Sequence, residues 1–213
     1  MPELDRDRIA LAALAVADDR GFDGFTMRAV AEKLGVTAMA LYHHVDDKAA
    51  LAALVVDAAI KEQPLPPPTG AWRDDLWAVA NWMRRTTQAH PVVGELRRAY
   101  RVWTPAVFPM TERWLSAWQQ SGLELEKAVL AATTSSMAVV GLVAEEAAFK
   151  TMDVPDGAML ASLPKARRVF TASHDYDAEF ELLVRALIDG LHARLSGDAP
   201  RRRRRVSAGP TRR

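Results

Sequence analysis

The chain has no cysteine at any of its 213 positions. That excludes disulfide scaffolds, thiolate-bound zinc, iron–sulfur clusters and thiol nucleophiles, and it fits a reducing compartment. Strand signals are almost as scarce. Ala, Leu and Arg dominate, and apolar residues recur at spacings of three and four, as helices require. Residues 128–144 carry no charge, yet Thr133, Thr134, Ser135 and Ser136 sit in the middle of the run. A membrane span needs ~20 mostly apolar residues, so a buried helix is expected there. Residues 9–17 follow Arg6 and Arg8 as a signal peptide's apolar core would, but Glu3, Asp5 and Asp7 spoil a cationic start. The expectation is a cytoplasmic protein with no membrane partner. Walker and dinucleotide loops are missing too. A di-iron bundle needs Glu-x-x-His twice, and only Asp189-x-x-His192 comes near. An enzyme is therefore not expected, nor a cofactor, nor a metal.

What is present is a soluble globular composition, 49% hydrophobic and 26% charged. The net charge of +1 hides a division. Residues 1–197 hold 21 Lys and Arg against 26 Asp and Glu, whereas residues 198–213 hold seven Arg against Asp198 alone. An acidic body precedes a basic tail, Arg201–Arg205 with Arg212 and Arg213, which is expected to be disordered and either solvated or in non-specific contact with phosphates.

The pattern predicts helices over 4–21, 27–34, 38–44 and from Asp46 or Asp47 to 62, with Thr26 and Thr37 as N-caps and Gly35 past a helix end. Pro64-Leu65-Pro66-Pro67-Pro68 stops any helix and marks a boundary. Further helices are expected at 72–90, 92–100, 110–121, 124–149 and 177–195, with a loop over 150–174 that holds one short helix at most. The fold class is all-α. An N-terminal domain, 1–62, built on a three-helix helix-turn-helix unit, precedes a larger helical domain, 63–197.

A short helix, a glycine turn and a second short helix read as helix-turn-helix, whose second helix enters the major groove. Val30, Ala31, Leu34, Val36 and Leu41 are the candidate clamp, and Ala38, Met39, Tyr42 and His43 face outward. That face lacks the forked side chains that read guanine and adenine, and suits thymine methyls and phosphates. Periodicity alone leaves a purely structural helical hairpin open. Tyr42 can also serve mainly in packing, and Arg28 as a solvated charge. His43 and His44 point ~100° apart on a helix, so they do not form a metal pair.

Thr26-Met27-Arg28-Ala29-Val30-Ala31-Glu32-Lys33-Leu34-Gly35-Val36-Thr37, then Ala40-Leu41-Tyr42-His43-His44-Val45 and Lys48-Ala49-Ala50-Leu51, resemble the TetR family of bacterial repressors in one register. The resemblance implies a homodimer that binds a palindromic double-stranded DNA operator. It implies phosphate contacts from Thr26 and Thr37 at helix N-termini, and a base or phosphate contact from Arg28. Ala38, Met39, Ala40 and His43 take groove-facing positions, and Tyr42, His44 and Lys48 match phosphate or base-edge contacts. The acidity of residues 1–63, seven Lys and Arg against eleven Asp and Glu, runs against DNA affinity unless the acids face away from the groove.

In the larger domain, Phe180, Leu183, Val184, Leu187, Ile188, Leu191 and Leu195 form a stripe too wide to stay uncovered. The segment 180–191 resembles the last helix of the tetracycline-repressor-like branch. This implies dimerisation through helices near 124–149 and 177–195, with Ala132, Ala138 and Gly141 allowing close approach; burial of the stripe within one monomer is the alternative. All six tryptophans lie between 72 and 118. Most belong in a core. Trp82, Met83, Trp103, Met110, Trp114, Trp118, Thr133, Thr134 and Met137 are the candidates for contact with a small-molecule effector. The serine and threonine hydroxyls at 133–136 either bond back to carbonyls four residues earlier or face that ligand. Members of this branch can use a histidine to hold a metal–tetracycline complex. Here Arg97, Arg98 and Arg101 follow His90, which argues against that ligand and leaves Arg97 or Arg101 for an anionic group or for the surface. A ligand-responsive repressor is the leading expectation. A ligand-independent DNA-binding dimer or an activator is the alternative.

Overall fold

Asp5 opens the first helix. Its carboxylate accepts the Arg8 backbone N–H at 2.8 Å, one of the amides that a helix start leaves without a partner. A computed structural model of the chain describes residues 4–150, 152, 153, 155 and 157–197. The Arg-rich tail, 198–213, lies outside the described residues. Among the described residues there are ten α-helices and no strand. They are α1 (Arg6–Gly24), α2 (Met27–Leu34), α3 (Ala38–Tyr42), α4 (Lys48–Glu62), α5 (Trp72–Ala89), α6 (Pro91–Ala99), α7 (Phe108–Gln120), α8 (Leu125–Phe149), α9 (Pro164–Phe170) and α10 (Tyr176–Ser196), with a 3-10 turn at Pro105–Val107. The expected all-α class holds. The third helix stops at Tyr42, two residues before the expected end.

The caps form where the sequence places them. Thr26 and Thr37 each accept a backbone N–H three residues on, at 3.1 Å, and Asp47 does so at 2.7 Å. Gly35 follows α2 at φ 70°, ψ 30°, and the N–H groups of Gly35 and Val36 close on the carbonyls of Glu32 and Ala31. A left-handed residue in that pattern strongly favours glycine.

The proline connector is tied down at several points. Trp82 Nε1 donates to the Gln63 carbonyl at 2.7 Å, and Arg113 donates to the Pro66 carbonyl at 3.0 Å. Asp75, almost wholly buried, accepts the Thr69 N–H at 2.6 Å, the Thr69 hydroxyl at 3.0 Å and Arg113 at 3.2 Å. Burial pushes the Asp75 carboxyl up, but these bonds outweigh it and hold the group below its ordinary value.

Two apolar cores result. One joins α1–α4 and also takes Val92, Val93 and Leu96 of α6. The other packs α5, α7, α8 and α10 around Trp114, Trp118, Val139, Phe180, Val184 and Ile188. The connector at 64–68 therefore differs from the packing boundary, because α6 lies beyond it in sequence and inside the first core in space. The length and mean hydropathy of α8 would let it pass for a membrane span. Its Ala128, Ala131, Ser135, Val139 and Val143 are buried in the second core.

Candidate functional site

Of the expected outward face, Met39, Tyr42 and His43 are exposed, whereas Ala38 packs half-buried against the first core. Val30 and Leu41 are fully buried, Ala31 nearly so, and Leu34 and Val36 pack half-buried against the same core. That fixes the rotation of α3 and leaves Met39 69% and Tyr42 47% exposed. Thr26, Arg28, Thr37, His43 and His44 are exposed, and Ala38 and Ala40 are half-buried. Arg28 has no ion-pair partner among the described residues. Both threonine hydroxyls accept their capping N–H and keep their own hydrogens to donate.

Lys48 is half-buried rather than extended into solvent. Its ammonium lies 5.7 Å from the ring centroids of Phe22 and Phe25 and 5.6 Å from that of Tyr100. No protein acceptor takes its hydrogens among the described residues.

The acids of this region are largely engaged elsewhere. Asp5 and Asp47 cap helices. Asp7 pairs with Lys61, and Asp19 and Glu32 pair with Arg20. Asp18 and Glu62 lie 2.8 and 3.1 Å from the two ring nitrogens of His90. His90, 7% exposed, thus pins the start of α6 to α1 and α4.

A cavity of about 410 Å³ opens where α4, α5, α6 and α8 converge. Four of the nine expected effector contacts line it: Trp82, Met83, Trp103 and Met110. The other five lie outside its lining, for two reasons. Trp114 and Trp118 are core residues whose Nε1 atoms donate to the buried Ser135 hydroxyl at 3.0 and 3.1 Å. Thr133, Thr134 and Met137 are exposed on the surface of α8 and do not reach the lining. The back-bonding expected at 133–136 occurs at Ser135, whose hydroxyl donates to the Ala131 carbonyl at 2.6 Å.

The lining also includes residues that sequence reasoning passed over: Thr86 and Thr87 on α5, Val93 and Gly94 on α6, and Val140, Val143 and Ala144 on α8. The spacing of Trp82, Met83, Thr86 and Thr87 marks one helical face, a signal the aromatic residues overshadowed. Arg97, Arg98 and Arg101 line the cavity as well, whereas His90 does not. Among the described residues no cluster of His, Asp or Glu could hold a metal ion.

On α8 and α10 the side away from the second core is apolar and exposed. Val129, Leu130 and Met137 show it on α8, and Leu182 and Leu183 on α10. A Cβ built on Gly141 of the same exposed face would meet nothing within 4 Å.

Beside Phe180 of the second core, a buried ion pair ties α5 to α8. Arg84 Nε and Nη2 donate to the two Glu146 oxygens at 2.6 and 2.8 Å, and Nη1 reaches Asp177 at 2.8 Å. Burial pushes Glu146 up, but the Arg84 and Lys150 hydrogen bonds outweigh it and hold the carboxyl at about 2.

Comparison with known proteins gives two family matches. Residues 9–55 match bacterial regulatory proteins of the tetR family, and residues 63–195 match the tetracyclin repressor-like C-terminal domain. An HTH-type transcriptional regulator from Saccharopolyspora erythraea is 30% identical over 71% of this chain, which spans 65% of that relative's length. The class A tetracycline repressor of Escherichia coli is 28% identical over 91% of this chain and 93% of its own. Among solved structures, apo ActR from Streptomyces coelicolor superposes with a TM-score of 0.75 at 26% identity, covering 93% of this chain and 100% of ActR. ActR has also been solved in complex with actinorhodin.

Proposed function

Because the chain belongs to the TetR family of bacterial regulatory proteins, we propose that it is a cytoplasmic transcriptional repressor that binds a palindromic operator as a homodimer and leaves it when a small molecule fills the body. The domains in this reading are a DNA-reading head, 1–62, and an effector-binding and dimerisation body, 63–197. The single observation that carries it is the double role of α6. Val92, Val93 and Leu96 pack into the core of the reading head, while Val93, Gly94 and Arg97 of the same helix form a wall of the cavity. A ligand that fits one position of α6 better than another thereby biases the head, and it acts only through that difference in affinity. The ActR complex with actinorhodin supports a small-molecule effector in this fold.

At the operator, Met39 and the small residues Ala38 and Ala40 meet thymine methyls, and His43 takes a groove-facing position. Thr26, Thr37, Tyr42 and His44 donate to phosphates. Arg28 adds a charged contact, and Lys48 offers its unpaired hydrogens to a phosphate from its seat over three rings. The exposed apolar faces of α8 and α10 support dimerisation through these helices.

Selection of fragments of the protein's own genome at ~150 mM salt, against excess random DNA, tests the reading. A recovered palindrome is expected. Arg28→Ala should then lower the log–log salt slope by roughly 0.9 for its lost phosphate. Failure to enrich any site would defeat the proposal.

A further inference from the structure

The side chains that line the cavity and still have hydrogens to give all come from one short segment, residues 97–103. Thr86 and Thr87 donate theirs to the Trp82 and Met83 carbonyls, both at 3.0 Å. Trp82 donates to Gln63. The groups left over are the guanidiniums of Arg97, Arg98 and Arg101 and the indole N–H of Trp103. No Asp or Glu lines the cavity, and none of the three arginines has an acidic partner among the described residues. They stand together in a body that is acidic elsewhere, since residues 1–197 carry five more acids than bases.

Two of the three arginines sit at a cost. Arg97 is half-buried, and its burial together with the charge of Arg98 pushes its guanidinium below the ordinary value. Its guanidinium lies 5.5 Å from the Trp103 ring centroid, which fixes where the charge points but neutralises none of it. Arg101 has φ 50° and is the only non-glycine with a positive φ among the described residues. It ends α6 in the bonding pattern that usually takes glycine, with Val102 N–H on the Arg97 carbonyl and Arg101 N–H on that of Arg98. Strain of this kind, retained next to a cavity, is a mark of a site. The remaining wall, including Met83, Val93, Val140 and Val143, is apolar apart from Thr86 and Thr87.

We propose that the cavity takes an anionic, ring-bearing effector, an aromatic carboxylate, sulfonate or acidic phenol, whose charged group is held by Arg97 and Arg101 while its rings fill the mostly apolar remainder. This deepens the repressor reading and rests on it, in that the body must be an effector domain. The chemistry follows from the donor set. A half-buried guanidinium without a carboxylate is relieved by an anion that brings two acceptor oxygens. The volume of about 410 Å³ lies within the ~300–1,000 Å³ range of small-molecule sites.

A matched pair of fluorescent probes tests this on the full chain. 8-Anilinonaphthalene-1-sulfonate carries one anionic group, and N-phenyl-1-naphthylamine is the same ring system without it. The sulfonate is expected to bind at about one per protomer and at least ~10-fold tighter than the neutral amine. Arg97→Gln should weaken the sulfonate ~10-fold while the amine changes by less than ~2-fold. Arg101→Gly provides a second variant that relieves backbone strain, so it will fold, and it should show the same selective loss. Val140→Phe, which fills the cavity, should lose both probes. Equal affinity for the two probes, unmoved by either arginine variant, overturns the anion site and leaves an effector cavity standing. Operator binding without binding of either probe overturns the anion site while leaving the DNA-reading head intact. Probe binding that survives Val140→Phe unchanged places the site elsewhere and overturns the inference.

Discussion

The ammonium of Lys48 lies 5.6 Å from the Tyr100 ring centroid, joining the first turn of α4 to the end of α6. Phe22 and Phe25 complete the seat, and the Phe22 and Tyr100 rings are themselves 6.2 Å apart. The contact crosses from the reading head to the helix that walls the cavity. A cation over an aromatic face contributes about 0.5–1 kcal/mol at a partly exposed site. A double-mutant cycle of Lys48→Met and Tyr100→Leu should return a coupling of that size from denaturant unfolding. A coupling of zero would mean that the two side chains are neighbours without a shared energy.

Acid should destabilise the protein through Glu146. Its side chain is 8% exposed and its carboxyl is held at about 2, against an ordinary value of 4.5. A carboxylate with a depressed folded value stabilises the fold fully above the unfolded value and loses that contribution as pH falls. The loss should run from pH 4.5 down to about 2 and amount to roughly 3 kcal/mol. Asp75, also depressed, adds to it with the same sign. Glu146→Gln should flatten this limb of the stability curve. It should also cost about 3–5 kcal/mol at neutral pH, because Arg84 keeps its buried charge and loses its bidentate partner. Equilibrium unfolding at a series of pH values reads both effects.

Ser135 serves two tryptophans with one hydroxyl. It gives its hydrogen to the Ala131 carbonyl and accepts from Trp114 and Trp118, so its donor and both lone pairs are used. Ser135→Ala removes few atoms but leaves the Trp118 N–H buried without its acceptor. The expected cost is about 1–3 kcal/mol, seen as a fall in Tm of about 2–4 °C per kcal/mol for a chain of this size. A change within experimental error would show that a water replaces the hydroxyl.

Much of the reading head was legible because its signals are local. Thr26, Thr37, Asp47 and Gly35 each act within four residues of their own position, and the 3.6 period then fixes which side of α3 faces out. The cavity was legible only in part, because its wall is assembled from helices far apart in sequence. Trp103 and Trp114 look alike in composition. Only the packing shows that one stands at a cavity mouth while the other donates into a core. Met83 and Met137 differ for the same reason, one facing the cavity and the other facing out from α8. The insertion of α6 into the first core had no sequence signal of its own. The proline run suggested a boundary that Val92, Val93 and Leu96 cross.

The exposed face of α8 sets the last expectation. Met137 is 70% exposed, and Leu130, Thr133, Thr134 and Gly141 lie on the same side. A two-fold axis through this face would set Met137 against or near its own copy, so Met137→Glu would bury two like charges together. Sedimentation velocity at micromolar concentration should find the wild type as a dimer and the variant shifted towards monomer, with Met137→Leu behaving as wild type. Operator affinity should fall with dimerisation, since a monomer engages one half-site and forfeits the effective concentration of the second head. The far-ultraviolet circular dichroism of Met137→Glu should be unchanged, because an exposed position in a single chain tolerates the charge. A variant that stays dimeric and binds the operator as before would place the interface on another face.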